Sequence, residues 1–278
     1  MRKWLLNVWR RCLGLAAVPA KVRRSATQVQ LRFEQLENRA VPVTFLVRDI
    51  FAGVSGSAPS NFTNVNGTLF FVADDGTNGF ELWRSDGTPG GTVLVSDIRP
   101  GLYDSFPHWL TNVNGTLFFV ANDGTNGFEL WRSDGTATGT VLVSDIRPGL
   151  YGSFPYTLTN VNGTLFFGAN DGTNGRELWR SDGTATGTVL VSDIYSGLAS
   201  SNPIILTNVN GTLFFQANDG TNGFELWRSD GTATGTVLVR DILPGDIPPG
   251  LYSSFPHWLT NVNGTLFFVA NDGTNGFE

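Results

Sequence analysis

The sequence predicts an all-β protein: a β-propeller-like array of four-stranded, 48-residue repeats, four of them full and a fifth partial, with the ring left unclosed. Three observations carry this. Asn-Val-Asn-Gly-Thr-Leu-Phe-Phe begins at Asn64, Asn112, Asn160, Asn208 and Asn261, at spacings of 48, 48, 48 and 53. Trp83, Trp131, Trp179 and Trp227 keep the same step, as do Asp49, Asp97, Asp145 and Asp193. Gly makes up 34 of the 278 residues, about 12% against a usual ~7%, beside 21 Phe, one Met and one Cys, a profile of turns and strands.

Within one copy, four strand-like runs at 109–114, 116–122, 128–133 and 140–146 are separated by turn signals. Asn114-Gly115 joins the first two as a hairpin, because both central positions of a type I′ turn need positive φ. In Thr116-Leu117-Phe118-Phe119-Val120-Ala121 the apolar residues do not alternate with polar ones, so both faces of that strand need cover. One four-stranded unit cannot supply it, and stacking copies of the unit does, as in the blades of a propeller. A stack of four-stranded layers in an open superhelix satisfies the same burial. A strand at 46–50, sixteen in the full units and two after Trp258 make nineteen, one short of five closed blades. Unpaired edges are then expected, with no Lys in the repeats to discourage pairing between chains. The longer last step reflects about five extra residues around Gly245 to Pro249, which must fall in a loop.

The chain divides into an export signal (1–25), a linker (26–43) and the repeats (44–91, 92–139, 140–187, 188–235 and a partial 236–278). Arg2, Lys3, Arg10 and Arg11 precede the apolar run 12–18, and Val18-Pro19-Ala20 offers small residues for cleavage. Residues 1–39 hold nine basic and two acidic side chains. The rest holds nine Arg and 22 Asp or Glu, and the whole carries −6. So acidic a body repels phosphate backbones, which excludes nucleic acid as a partner. No apolar run reaches the ~18 to 20 residues of a membrane-crossing helix. A single Cys, Cys12, allows no internal disulfide.

Two resemblances follow from residues already quoted or adjacent to them. Leu36-Glu37-Asn38-Arg39-Ala40-Val41-Pro42 resembles the LE-x-R-x-x-P segment near the start of large exported repeat proteins of planctomycete-type bacteria. Glu81-Leu82-Trp83-Arg84-Ser85-Asp86-Gly87-Thr88, copied from Glu129, Glu177 and Glu225, resembles the ELWxxDGT (hyalin-like) repeat of secreted bacterial proteins. These resemblances imply a secreted or cell-surface protein and supply no catalytic residues. Phe277-Glu278 opens a fifth such segment, so the chain reads as truncated.

Two groups of residues are candidates for chemistry. Asp-Gly-Thr-Asn-Gly loops crowd oxygen donors into Gly-rich turns, which suits Ca²⁺. The candidate ligands are Asp74, Asp75, Asn78 and Glu81, then Asn122, Asp123, Asn126 and Glu129. The later copies supply Asn170, Asp171, Asn174 and Glu177, then Asn218, Asp219, Asn222 and Glu225. Asp, Asn and Gly favour such turns for conformational reasons alone, so Ca²⁺ is a weak expectation. The second group is the connection between copies, where the repeats differ most. It places Tyr103, Phe106, His108 and Trp109 beside Tyr151, Phe154 and Tyr156, with Tyr252, Phe255, His257 and Trp258 in the last copy. In a propeller this connection emerges on the same rim as the Asp-Gly-Thr-Asn-Gly loops, and that face is expected to carry binding. Trp131 and its copies are expected in the core.

No Ser, His and acid stand out as a unique set, and the copies look equivalent. The expectation is therefore a non-enzymatic structural or adhesive module, with an extracellular glycan or surface protein as partner and no cofactor beyond Ca²⁺. The alternative is a propeller-fold polysaccharide hydrolase or lyase, which requires polar residues that break the equivalence of the blades.

Overall fold

Asn-Gly sets the first hairpin of every repeat. Asn66, Asn114, Asn162, Asn210 and Asn263 take φ of 49–51°, and the Gly after each takes 85–86°, the paired positive values that a type I′ turn demands. The computed structural model describes residues 44–244 and 252–278, and places the repeats in one unit from Phe45 to Glu278. The export signal, the linker with its LE-x-R-x-x-P segment and the insertion at 245–249 lie outside the described residues.

Each full repeat folds as one antiparallel four-stranded sheet in sequential order. Blade 1 comprises β1 (Ser60–Val65), β2 (Thr68–Asp74), β3 (Phe80–Ser85) and β4 (Val93–Ser96). Blade 2 comprises β5 (His108–Val113), β6 (Thr116–Asn122), β7 (Phe128–Ser133) and β8 (Val141–Ser144). Blade 3 runs through β9 (Tyr156–Val161), β10 (Thr164–Asn170), β11 (Arg176–Ser181) and β12 (Val189–Ser192). Blade 4 runs through β13 (Ile204–Val209), β14 (Thr212–Asn218), β15 (Phe224–Ser229) and β16 (Val237–Arg240). The fifth has only β17 (His257–Val262) and β18 (Thr265–Val269), with an isolated bridge between Asn271 and Phe277. The fold is thus all-β and propeller-like, with an unclosed array of blades. No helix among the described residues is long and apolar enough to cross a membrane.

Both faces of the second strand are buried, as the unbroken apolar run requires: Leu117, Phe119 and Ala121 meet blade 1, while Phe118 and Val120 meet blade 3. Trp131 joins the first group against Leu82, Val95 and Ile98, and Trp179 and Trp227 repeat its place in the next two junctions. The indole N–H of Trp83, Trp131, Trp179 and Trp227 is buried without a protein acceptor, so these rings contribute as apolar mass.

The expected strand at 46–50 does not form. Residues 44–49 have no regular structure, and Ile50 packs on Phe71, Ala73 and Trp83 where the fourth strand of a preceding blade would lie. No described strand flanks it to pair with, so the segment keeps its apolar contacts without a ladder. Eighteen strands are described in place of nineteen.

Candidate functional site

The connection between blades is pinned to the blade it leaves by one buried carboxylate. Glu129, on β7, accepts hydrogen bonds from the backbone N–H groups of Ile146 (3.3 Å), Arg147 (3.1 Å) and Ser153 (2.7 Å), and from the Ser153 hydroxyl (2.5 Å). Glu81, Glu177 and Glu225 repeat the pattern through Ser105, Ser201 and Ser254. The last link reaches 29 residues along the chain in place of 24, so the insertion leaves the clasp intact. All four Glu are fully buried. Burial pushes the Glu81, Glu129 and Glu177 carboxyls up to about 7, against the pull of their hydrogen bonds, and raises Glu225 as well.

The sign of the pH dependence follows. Between the ordinary carboxyl value of 4.5 and about 7, the folded chain holds protons that the unfolded chain has released, so stability falls as pH rises through that window. Asp86, Asp134, Asp182 and Asp230 act oppositely at lower pH, since Thr side chains hydrogen-bond their carboxylates and hold them below the usual range. The melting temperature should peak in mild acid and decline steadily from about pH 5 to pH 7.5. A calorimetric series that is flat or rising across that range contradicts this.

The acidic loops and the aromatic connections share one rim, as expected from the blade topology. Ser105 carbonyl accepts from Asn122 N–H at 3.0 Å, and Phe80 N–H donates to Asp104 at 2.7 Å. Within the loops, oxygens turn inward on the loop itself. Asp74 accepts from Gly76 N–H, and Asp75 from the N–H groups of Thr77 and Asn78 and the Asn78 side chain. Asn122, Asp123 and Asn126 repeat this, as do Asn170, Asp171 and Asn174, then Asn218, Asp219 and Asn222. The Glu residues grouped with these loops are a correction to the sequence reading: they face the connection's backbone N–H groups, so loop and Glu form no common ligand set. Among the described residues no group of three or more His, Cys, Asp or Glu is placed to hold a metal ion.

Tyr103, Tyr151 and Tyr252 stand exposed on the connections, and Arg99 and Arg147 lie over the first two rings at 5.1 and 5.5 Å. Below them, an aromatic pair spans three of the junctions: Phe80 with Phe106 (6.1 Å between centroids), Phe128 with Phe154 (5.5 Å) and Phe224 with Phe255 (5.7 Å). Trp109 and Trp258 are exposed at a bulge in the first strand, with φ of 55° and 54°, values that a bulky residue adopts only under strain. His108 and His257 set Nδ1 on the carbonyls of Phe106 and Phe255 at 2.8 and 2.9 Å.

One junction departs from this scheme. Between blades 3 and 4 the aromatic pair is replaced by Arg176 and Asn202, although the backbone bond beneath them is kept, at 3.1 Å against 3.0 Å for Phe154 to Phe128. In the same blade Tyr156 stands opposite Gly168, where blade 2 pairs His108 with Val120. The Tyr156 ring occupies the space a Cβ on Gly168 would need, at 2.3 Å from its Cζ. The Tyr156 hydroxyl is buried without a partner, and burial raises its pKa while the Arg176 charge opposes that rise. His108, Trp109, Phe154, Tyr156, Arg176 and Asn202 line one cleft of about 390 Å³. The sequence reading singled out His108, Trp109, Phe154 and Tyr156 and missed Arg176. Its signal was Asn-Gly-Arg-Glu at 174–177, where every other copy has Asn-Gly-Phe-Glu.

Neither a protein-family description nor a curated protein matches the sequence. Solved structures resemble it in part. A puromycin hydrolase is 15% identical over 76% of this chain and 32% of its own, with a TM-score of 0.44. An α-L-arabinofuranosidase from Clostridium thermocellum is 18% identical over 80% of this chain and 84% of its own, with a TM-score of 0.31. An endo-arabinase from Bacteroides thetaiotaomicron is 13% identical over 79% and 90%, with a TM-score of 0.35. The chain spans about a third of the length of the puromycin hydrolases it matches. At these values the likeness concerns the fold alone. The blades of this chain are not equivalent in the cleft, where Arg176 and Asn202 replace the aromatic pair and Tyr156 faces Gly168. The expectation of a non-enzymatic structural or adhesive module, which rested on that equivalence, is therefore corrected.

Proposed function

We propose that the chain is the propeller of a polysaccharide-cleaving enzyme, and that an acidic sugar chain lies in the cleft between blades 2, 3 and 4. The exchange of one stacked Phe pair for Arg176 and Asn202, beside the Tyr156 and Gly168 pair, carries this reading. It supplies the break in blade equivalence that chemistry at one place requires. Arg176 offers a planar, permanently charged fork for a uronate carboxylate, and the exposed face of Trp109 an apolar platform for the ring. His108 Nδ1 faces a carbonyl and so carries the proton, which leaves Nε2 with its lone pair free to act as a base.

The lining residues include no carboxylate, whereas glycoside hydrolysis ordinarily uses two. Elimination fits the groups present. His108 Nε2 takes the proton next to the uronate carboxylate, whose developing charge Arg176 neutralises. The pair left behind forms the new carbon–carbon double bond as the bond to the glycosidic oxygen breaks, and water supplies a proton to that oxygen, since the Tyr156 hydroxyl is buried against Gly168. Residues 1–42, with their basic start and LE-x-R-x-x-P segment, support an exported protein, where such polymers are met.

Incubation with polyuronates and with a neutral arabinan tests this. The polyuronate should yield chain ends with the ultraviolet absorbance of an unsaturated ring, and the arabinan none. Arg176→Phe installs the residue that the other three full blades carry, so the fold should be kept while kcat/KM falls roughly 100-fold, the size of a lost charge-assisted pair. No cleavage of any polyuronate, or an unchanged kcat/KM in that variant, overturns the reading.

A further inference from the structure

A polymer has a sugar residue on each side of the bond that breaks, and the Arg176 cleft accounts for the uronate on one side only. His108 and Trp109 also line a second cleft of about 390 Å³, between blades 1 and 2. Its other walls are Asn61, Phe62 and Thr63 of β1 and Leu110 of β5. The two clefts therefore meet along His108 and Trp109. A glycosidic bond within reach of His108 Nε2 places one residue in the Arg176 cleft and its neighbour in the second.

The second cleft differs from the first in charge, for no Asp, Glu, Lys or Arg lines it. Asn61 donates one amide N–H to the Pro107 carbonyl at 3.2 Å, which leaves its other N–H and its carbonyl oxygen for a ligand. The Thr63 hydroxyl donates to the Leu110 carbonyl at 3.1 Å, so toward a ligand it accepts. Phe62 stacks on Phe71 and is still 59% exposed, which adds apolar surface beside these groups. Neutral donors and acceptors next to an apolar ring suit the hydroxyls and C–H faces of an uncharged sugar. A carboxylate in the same place gives up hydration with no cation to replace it.

We infer that the cleft between blades 1 and 2 binds the residue across the scissile bond from the uronate, and that this residue is a neutral sugar. The substrate then alternates uronate with neutral units at the point of cleavage. The inference rests on the reading of the Arg176 cleft given above. Asn61 is the side chain that sets it apart: at the same bulge, with φ of 54–57° throughout, the other repeats carry Trp109, Thr157, Ile205 and Trp258.

Polymers matched in their uronate test this: polygalacturonate against a backbone alternating galacturonate with rhamnose, and polyglucuronate against hyaluronan, which alternates glucuronate with N-acetylglucosamine. Ultraviolet absorbance of the unsaturated ends gives the rates. In the pair whose uronate is accepted, kcat/KM should be about 10-fold higher on the alternating polymer. Asn61→Arg should reverse that order by placing a cation in the second cleft. Asn61→Thr, the residue that blade 3 holds at the same φ, should lower kcat/KM on the alternating polymer about 10-fold, mainly through KM, the size of a lost neutral hydrogen bond. A homopolymer cleaved as well as its alternating partner overturns the inference and leaves the reading of the Arg176 cleft in place. So does an order of preference unchanged in Asn61→Arg. Cleavage of none of the four polymers overturns both.

Discussion

Glu129→Ala should cost about 4 kcal/mol and lower the melting temperature by roughly 8 to 16 °C. The variant leaves the buried N–H groups of Ile146, Arg147 and Ser153 without their acceptor, together with the Ser153 hydroxyl. An orphaned buried donor costs about 1 to 3 kcal/mol, and relaxation of the connection recovers part of the sum. In a protein of this size one kcal/mol moves the midpoint by about 2 to 4 °C. Because each blade contacts only its neighbours, the loss should be local: amide exchange should accelerate at Ile146, Arg147 and Ser153 and leave the equivalent Ile98, Arg99 and Ser105 protected by Glu81. Glu129→Gln keeps one carbonyl acceptor, places an NH₂ against the remaining donors, and should fall between the two. A midpoint shift below about 3 °C for the Ala variant would mean that water replaces the carboxylate and that the clasp is not what fixes the rim.

That clasp was not legible in the sequence, and the reason is physical. Glu129 sits beside an acidic turn, and proximity along the chain suggested shared cation ligation with Asp123 and Asn126. Its partners lie 17 to 24 residues further on, in the connection, and only the folded sheet brings them to it. What was legible is what local chemistry dictates. The Asn-Gly turns, the second strand at Thr116–Asn122 and the third at Phe128–Ser133 follow from turn residues and an apolar run. The first strand starts one residue earlier than its apolar pattern suggested, at His108, because the bulge at Trp109 adds a residue that pairing does not require. The fourth strand keeps only Val141–Ser144 of the expected 140–146: Thr140 turns its hydroxyl to Ser133 and the Thr136 carbonyl, and Ile146 belongs to the connection held by Glu129. The rim location of Trp109, Phe154 and Tyr156 was readable because variation between otherwise identical copies concentrates there. Arg176 was equally visible, as the one Asn-Gly-Arg-Glu among Asn-Gly-Phe-Glu copies. Its meaning depends on Asn202, in the next blade, with which it replaces a stacked pair.

The Tyr156 and Gly168 pair allows that meaning to be tested apart from stability. Gly168→Val alone should cost about 2 to 3 kcal/mol, because the new side chain meets the Tyr156 ring well inside contact distance in a packed sheet. Tyr156→His alone uncovers Gly168 and should cost about 1 to 2 kcal/mol through lost packing. The double variant installs the His and Val pair that blade 2 already holds at His108 and Val120, and that the fifth blade holds at His257 and Val269. Its cost should stay below about 1 kcal/mol, a coupling of roughly 2 to 4 kcal/mol between the two sites in chemical denaturation. The double variant thus restores the packing of blade 2 while replacing the Tyr156 wall of the cleft, so polysaccharide cleavage should fall in a protein nearly as stable as the wild type. A double variant that cleaves normally would show that Tyr156 is there only to fill the space Gly168 leaves. One whose destabilisation equals the sum of the singles would show instead that the cleft in blade 3 is shaped by contacts other than this pair.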